Sequence, residues 1–218
     1  GLTWLVAQQA ADGCIGPQAI EKHLYNHSLS TQVLCEAVAS GQAVFKAPAQ
    51  KALDYVLTCQ NRMAQGGGWR YRDYNLPGAM PEQDGNNDTS STTCAVLALA
   101  AAKKAGFHIP PRSLWAAMAW LDSVYEKRGN LAIFGYLRKR NGNLGLIHNE
   151  PHTTTAMGVL SLRLLEEMLP PPLQKPEEAP PPPAPDELAR WIRELGDDAY
   201  PVREAASKAL EKTELGAK

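Results

Sequence analysis

The 218-residue chain sets 22 Lys and Arg against 23 Asp and Glu, a formal charge of −1, which gives no bulk attraction to nucleic acid or an anionic membrane. No apolar run approaches the ~20 residues a bilayer-spanning helix needs, and the length suits one sizeable domain plus a small appendage. Cys14, Cys35, Cys59 and Cys94 form no CxxC pair and read as free, mostly core thiols, which favours a reducing, cytoplasmic setting.

Leu2, Leu5 and Val6 mark a first helix that breaks at Asp12-Gly13, and a second helix is expected from His27 to Ala39, closed by Gly41. A third starts near Pro48, with Ala52, Tyr55, Val56 and Cys59 at helical spacing, and stops by Gly66-Gly67-Gly68. A polar loop from Arg70 to Asn87 leads to a fourth helix opening at Asp88-Thr89, both N-cap types, and running through Val96 and Leu99 to Gly106. After Ile109-Pro110-Pro111 comes a fifth, with Ser113 as its cap and Leu114, Met118 and Leu121 on one face. A loop from Lys127 to Pro151 precedes a sixth, which opens at His152 to Thr154 and is expected to bury Met157, Leu160 and Leu164. From Pro170 to Pro185 nine of sixteen residues are proline, so residues 169–185 form an extended linker. Residues 186–218 read as a short helical pair.

One pattern recurs. Aromatic residues stand at Trp4, Tyr55 and Trp120, and Gln9 and Gln60 follow the first two by five positions. His27, Asp88 and His152 align at the openings of alternate helices, with steps of 61 (88 minus 27) and 64 (152 minus 88) residues. Phe134-Gly135-Tyr136 echoes Gly68-Trp69-Arg70-Tyr71. Repetition at such a period signals stacked helical hairpins, each covering its apolar face on its neighbours.

On these residues the chain resembles the terpenoid-cyclase and protein-prenyltransferase family. Leu53 to Trp69, with Gln60 and Gly67-Gly68-Trp69, is similar to the family's QW motif; Gln9 and Gly13 keep that spacing, with Ile15 in the tryptophan position. The resemblance covers residues 1–168 and implies an all-α fold: three helical-hairpin repeats forming part of an (α/α)6 toroid. Helices from His27, Asp88 and His152 would form its inner ring. The segment Asp198…Val202-Arg203…Ala209-Leu210 resembles one HEAT repeat.

The resemblance also sets what the site should hold. The cyclases' acidic motif falls on Gly85 to Thr89, where only Asp88 and Thr89 match and Asn87 occupies the acid position; an amide donates no such proton. The prenyltransferases' zinc ligands fall on Asp88 and His152, with Ser90 in place of the thiolate and Cys94 one turn on. Zinc is thus the only metal implied, on an incomplete ligand set, and no other cofactor is expected.

The candidate catalytic residue is Asp88, the candidate metal ligands Asp88 and His152, and the candidate binding residues His27, Asp88, His152, Trp69 and Tyr71. Plainer readings stand beside these: Asp88 as an N-cap, the histidines as rim or capping residues, and Arg70, Arg72 and Asp73 beside Trp69 and Tyr71 as a brace instead of a cation–aromatic surface. Glu82 and Asp84 read as solvated, Arg138-Lys139-Arg140 as a loop tip, and Gly66 to Gly68 lacks the lysine of a phosphate cradle. Two functions follow: a catalytically degenerate module binding a protein partner or a hydrophobic, isoprenoid-type ligand, or an isoprenoid cyclase or prenyltransferase whose other catalytic residues lie elsewhere. A glycoside-active barrel would need paired carboxylates, for which Asp84 and Asp88 are the single candidate pair.

Overall fold

A computed structural model of the chain describes residues 1–18, 23–61, 67–71, 87–140, 143–145 and 151–169. Arg72, Asp73, Glu82, Asp84, the proline-rich stretch from Pro170 and the HEAT-like pair fall outside them. The chain is mostly helical: α1 (Leu2–Ala7), α2 (His23–Ala39), α3 (Lys46–Thr58), α4 (Thr89–Lys104), α5 (Pro111–Ser123) and α6 (His152–Met168), with a 3-10 turn at Ala43–Phe45. No helix among the described residues is long and apolar enough to cross a membrane.

Local chemistry fixes four of the helix ends. Asp88 caps α4, its Oδ1 accepting from the Ser91 N–H at 2.7 Å. Pro111 opens α5 behind Pro110, so Ser113 is the helix's third residue and not its cap. Gly41 and Gly106 end α2 and α4 with φ of 92° and 81°, a conformation that returns the next N–H to the helix (Gln42 to Ala37 O, Phe107 to Ala102 O).

Alternate helices form one row, α2 packing on α4 and α4 on α6, while α3 touches α2 and α4, and α5 touches α4 and α6. Leu34, Leu53, Val56, Leu99, Leu114, Trp120, Leu121 and Leu165 lie in the core between them.

Three expectations are corrected. α2 begins at His23, four residues before His27. The stretch after α5 is not irregular loop: β1 (Tyr125–Arg128) pairs antiparallel with β2 (Leu131–Phe134) around Gly129-Asn130, and β3 (Leu137–Arg140) pairs with β4 (Asn143–Gly145). On α6 the buried face is Thr154, Gly158, Ser161, Leu165 and Met168, while Leu160 is exposed and Met157 and Leu164 are half-buried. The small face turns inward because α6 lies close over β2: a Cβ at Gly158 would sit 2.3 Å from the Phe134 ring.

The hairpins are joined by one brace built twice. Gln9 Nε2 donates to Gly13 O (3.1 Å) and to Pro48 O (2.9 Å), the third residue of α3. Gln60 Nε2 donates to Gly67 O and to Ser113 O, both at 2.8 Å, the latter the third residue of α5. The contacted glycines admit no side chain, since a Cβ would lie 2.3 Å from Lys51 O at Gly13 and 2.7 Å from Asn61 O at Gly67.

Because the Gln60 pair is buried and the Gln9 pair only partly so, Gln60→Leu is expected to cost about 2–4 kcal/mol, since two buried carbonyls lose their donor, and Gln9→Leu about 1 kcal/mol. Urea unfolding of the two variants measures the difference.

Candidate functional site

The loop before each of α2, α4 and α6 is tied to that helix in the same way. The Ile15 N–H donates to His27 Nδ1 (3.0 Å), the Trp69 N–H to Thr92 Oγ1 (3.0 Å) and the Phe134 N–H to Thr155 Oγ1 (3.1 Å). His27, Thr92 and Thr155 are therefore the equivalent positions. The steps are 65 (27 to 92) and 63 (92 to 155), so matching His27 to Asp88 is off by one helical turn.

His27 is fully buried. With Nδ1 accepting from Ile15, its Nε2–H donates to Ala52 O at 3.0 Å, and the Tyr55 ring meets it edge-on at 4.7 Å. Burial drives its pKa down to about 4, opposed by the Ala52 bond. It is a neutral internal strut with both nitrogens engaged. Trp69 is likewise interior: its Nε1–H donates to Val56 O at 2.7 Å and the ring is fully buried. His152 is exposed on the first turn of α6.

Asp88 sits at the centre of a polar cluster. Its Oδ1 accepts from Ser91 N and from Ser90 Oγ (2.5 Å), its Oδ2 from Ser91 Oγ (2.8 Å), and Arg70 Nη1 stands 3.5 Å from Oδ2. Burial raises the carboxyl's pKa, while the bonds from Ser90 and Ser91 and the Arg70 charge pull it back. All four partners are donors, and that arrangement satisfies the ionised form.

Two residues around this centre, Tyr25 and Tyr136, were not among the candidate site residues read from the sequence. Tyr25 hydrogen-bonds Ser90 Oγ, Tyr71 hydrogen-bonds Tyr136 through their hydroxyls, and Tyr25 stacks on Tyr71 with centroids 5.7 Å apart. The Arg70 guanidinium lies 4.5 Å over the Tyr71 ring. The carbonyls of Tyr71 and Tyr136 accept the N–H groups of Leu24 and Thr89 at the openings of α2 and α4. Tyr25 and Ser90, like Tyr71 and Tyr136, are 65 positions apart; that repeat step was the available signal. Arg70, Tyr71 and Asp88 are thus brought together, whereas His27 and Trp69 belong to the interior behind them.

Among the described residues no group of three or more His, Cys, Asp or Glu side chains is placed to hold a metal ion. Cys94 is pushed up to about 11, by burial first and then by Asp88, so its sulfur stays a neutral thiol near pH 7 and a poor nucleophile. Leu29, Leu97, Met157 and Leu160 are half-buried or exposed at helical spacing from Tyr25, Ser90 and Thr153. Comparison with protein-family models, with curated proteins and with solved structures found no match to this chain.

Proposed function

We propose that residues 1–169 are a terpenoid-cyclase- and prenyltransferase-like toroid segment that works as a binding module without acid or zinc chemistry. What supports the toroid reading is the twice-built glutamine brace and the loop tie made three times. The observation that carries the non-catalytic reading is Asp88: the one retained acidic residue is committed at both oxygens to Ser90, Ser91 and Arg70, with an amide at the neighbouring Asn87.

The ligand that fits has a hydrogen-bonding head for Arg70 and the hydroxyls of Tyr25, Tyr71 and Tyr136. Its apolar body would lie along Leu29, Leu97, Met157 and Leu160; an isoprenoid chain or an apolar protein segment has that character. Farnesyl diphosphate is the first probe. It is expected to raise the melting temperature, to be recovered unchanged, and to lose its effect in Arg70→Ala. Absence of any shift with it or with squalene leaves an apolar protein segment as the occupant.

The enzyme alternative draws on one observation, the raised pKa of the buried Asp88, since a proton donor near neutral pH needs such a shift. Consumption of the probe, lost in Asp88→Asn, would establish that alternative and end the binding-module reading.

A further inference from the structure

The internal repeat shows which face each inner helix gives to its neighbour, and two such faces are left open. On α2 the positions Leu24, Ser28, Thr31 and Cys35 are buried on the side toward α4. Their equivalents on α4, 65 positions on, are Thr89, Thr93, Val96 and Ala100, also buried; Thr93 accepts from Ser161 Oγ of α6 at 2.9 Å. The next equivalents, 63 further, are His152, Ala156, Val159 and Arg163 on α6, and all four are exposed.

The opposite faces repeat the argument in reverse. Thr154, Gly158, Ser161 and Leu165 of α6 are buried, as are Ser91, Ala95, Ala98 and Ala102 of α4. Their counterparts on α2 are Asn26, Ser30, Val33 and Ala37, of which Asn26 and Val33 are exposed and Ser30 is half-buried. Val159 is 50 % and Val33 43 % exposed, each at a position occupied in α4 by a fully buried Val96 or Ala98.

We infer that the α6 face docks the α2 face of a second copy of this chain, continuing the row by the contact already made between α2 and α4 and between α4 and α6. Both halves of that contact are present on one molecule: Asn26, Ser30, Val33 and Ala37 on α2, and Ala156 and Val159 between His152 and Arg163 on α6. In the same register Arg163 falls level with Ala37, beside the exposed Glu36, an opposite-charge pairing at the rim. The contact is heterologous, pairing two different surfaces, so each chain offers one of each. It rests on the repeat geometry and not on the ligand proposed above.

The test is the mass of the full chain in solution by analytical ultracentrifugation across a concentration series. Association of wild type is expected, with Val159→Arg and Val33→Asp each returning the mass to that of one chain while each variant melts where wild type does at dilutions that hold wild type as a single chain, since both sites are surface-exposed. A mixture of the two variants is expected to associate again, because Arg at 159 of one copy meets Asp at 33 of the other and the remaining contact is wild type. Wild type that stays a single chain throughout, association untouched by either variant, or a mixture that stays apart overturns the inference.

Discussion

Lowering the pH from 7 to 4 is expected to remove about 3 kcal/mol of folding stability through His27 alone. The folded pKa of about 4 lies below the ordinary 6.5, so the contribution is fully present above pH 6.5 and is lost as pH falls toward 4. The difference of about 2.5 units converts at roughly 1.4 kcal/mol per unit. The structural cause is the proton inventory: a second ring proton would sit on Nδ1, where the Ile15 N–H already donates, setting two donors against each other in the core. Asp88 acts in the opposite sense, since its raised pKa makes its own contribution grow as pH falls, and it blunts part of the loss. Denaturant unfolding at pH 7 and pH 4 separates the terms. In His27→Gln stability should be lower at pH 7, and most of the decline between the two values should disappear; an unchanged decline would place the acid sensitivity elsewhere.

His27 also shows why part of the repeat was hidden in the sequence. Thr92 and Thr155 do with a hydroxyl what His27 does with a ring nitrogen, and no similarity of residue type joins them. Matching His27 with His152 by type put the first step four residues short. The features that did read through were those with one chemical solution: the Gln9 and Gln60 braces, which need an amide reaching two carbonyls, and the Asp88 cap. The two hairpins after α5 carried their own signals in Gly129-Asn130 and Asn141-Gly142, but a helical repeat period overrode them. α6 was misread by periodicity, because Leu160 and Leu164 suggested the core while Gly158 and Ser161 were the residues small enough to approach β2 and α4. The polar cluster was legible only in part: Asp88, Arg70 and Tyr71 stood out by chemistry, whereas Tyr25 and Tyr136 acquire meaning once helices from different repeats bring them against Ser90 and Tyr71.

Trp69→Ala is expected to cost about 3–5 kcal/mol, a large fraction of the roughly 5–15 kcal/mol that holds a typical domain folded. Two side-chain contributions are lost together, at a place in the loop where the backbone is also held. The ring fills fully buried space between α3 and α4. Its indole N–H caps Val56 O near the C-terminus of α3; the Gln60 N–H, four residues on, bonds Leu57 O instead, so the indole meets a carbonyl of the kind a helix end leaves without an amide. The backbone on either side is clamped, the N–H to Thr92 Oγ1 and the carbonyl to the Asp88 N–H, which fixes where Asp88 and hence the polar cluster sit. Trp69→Phe separates these contributions: it keeps most of the ring and the backbone clamps and loses only the indole bond, for about 1–2 kcal/mol. Urea unfolding of both variants gives the ratio. A residue that served a ligand instead of the interior would show the reverse, with near wild-type stability in both variants and a loss confined to binding. Equal costs for Phe and Ala would mean that the bond to Val56, and not the filled volume, is what the first two hairpins depend on.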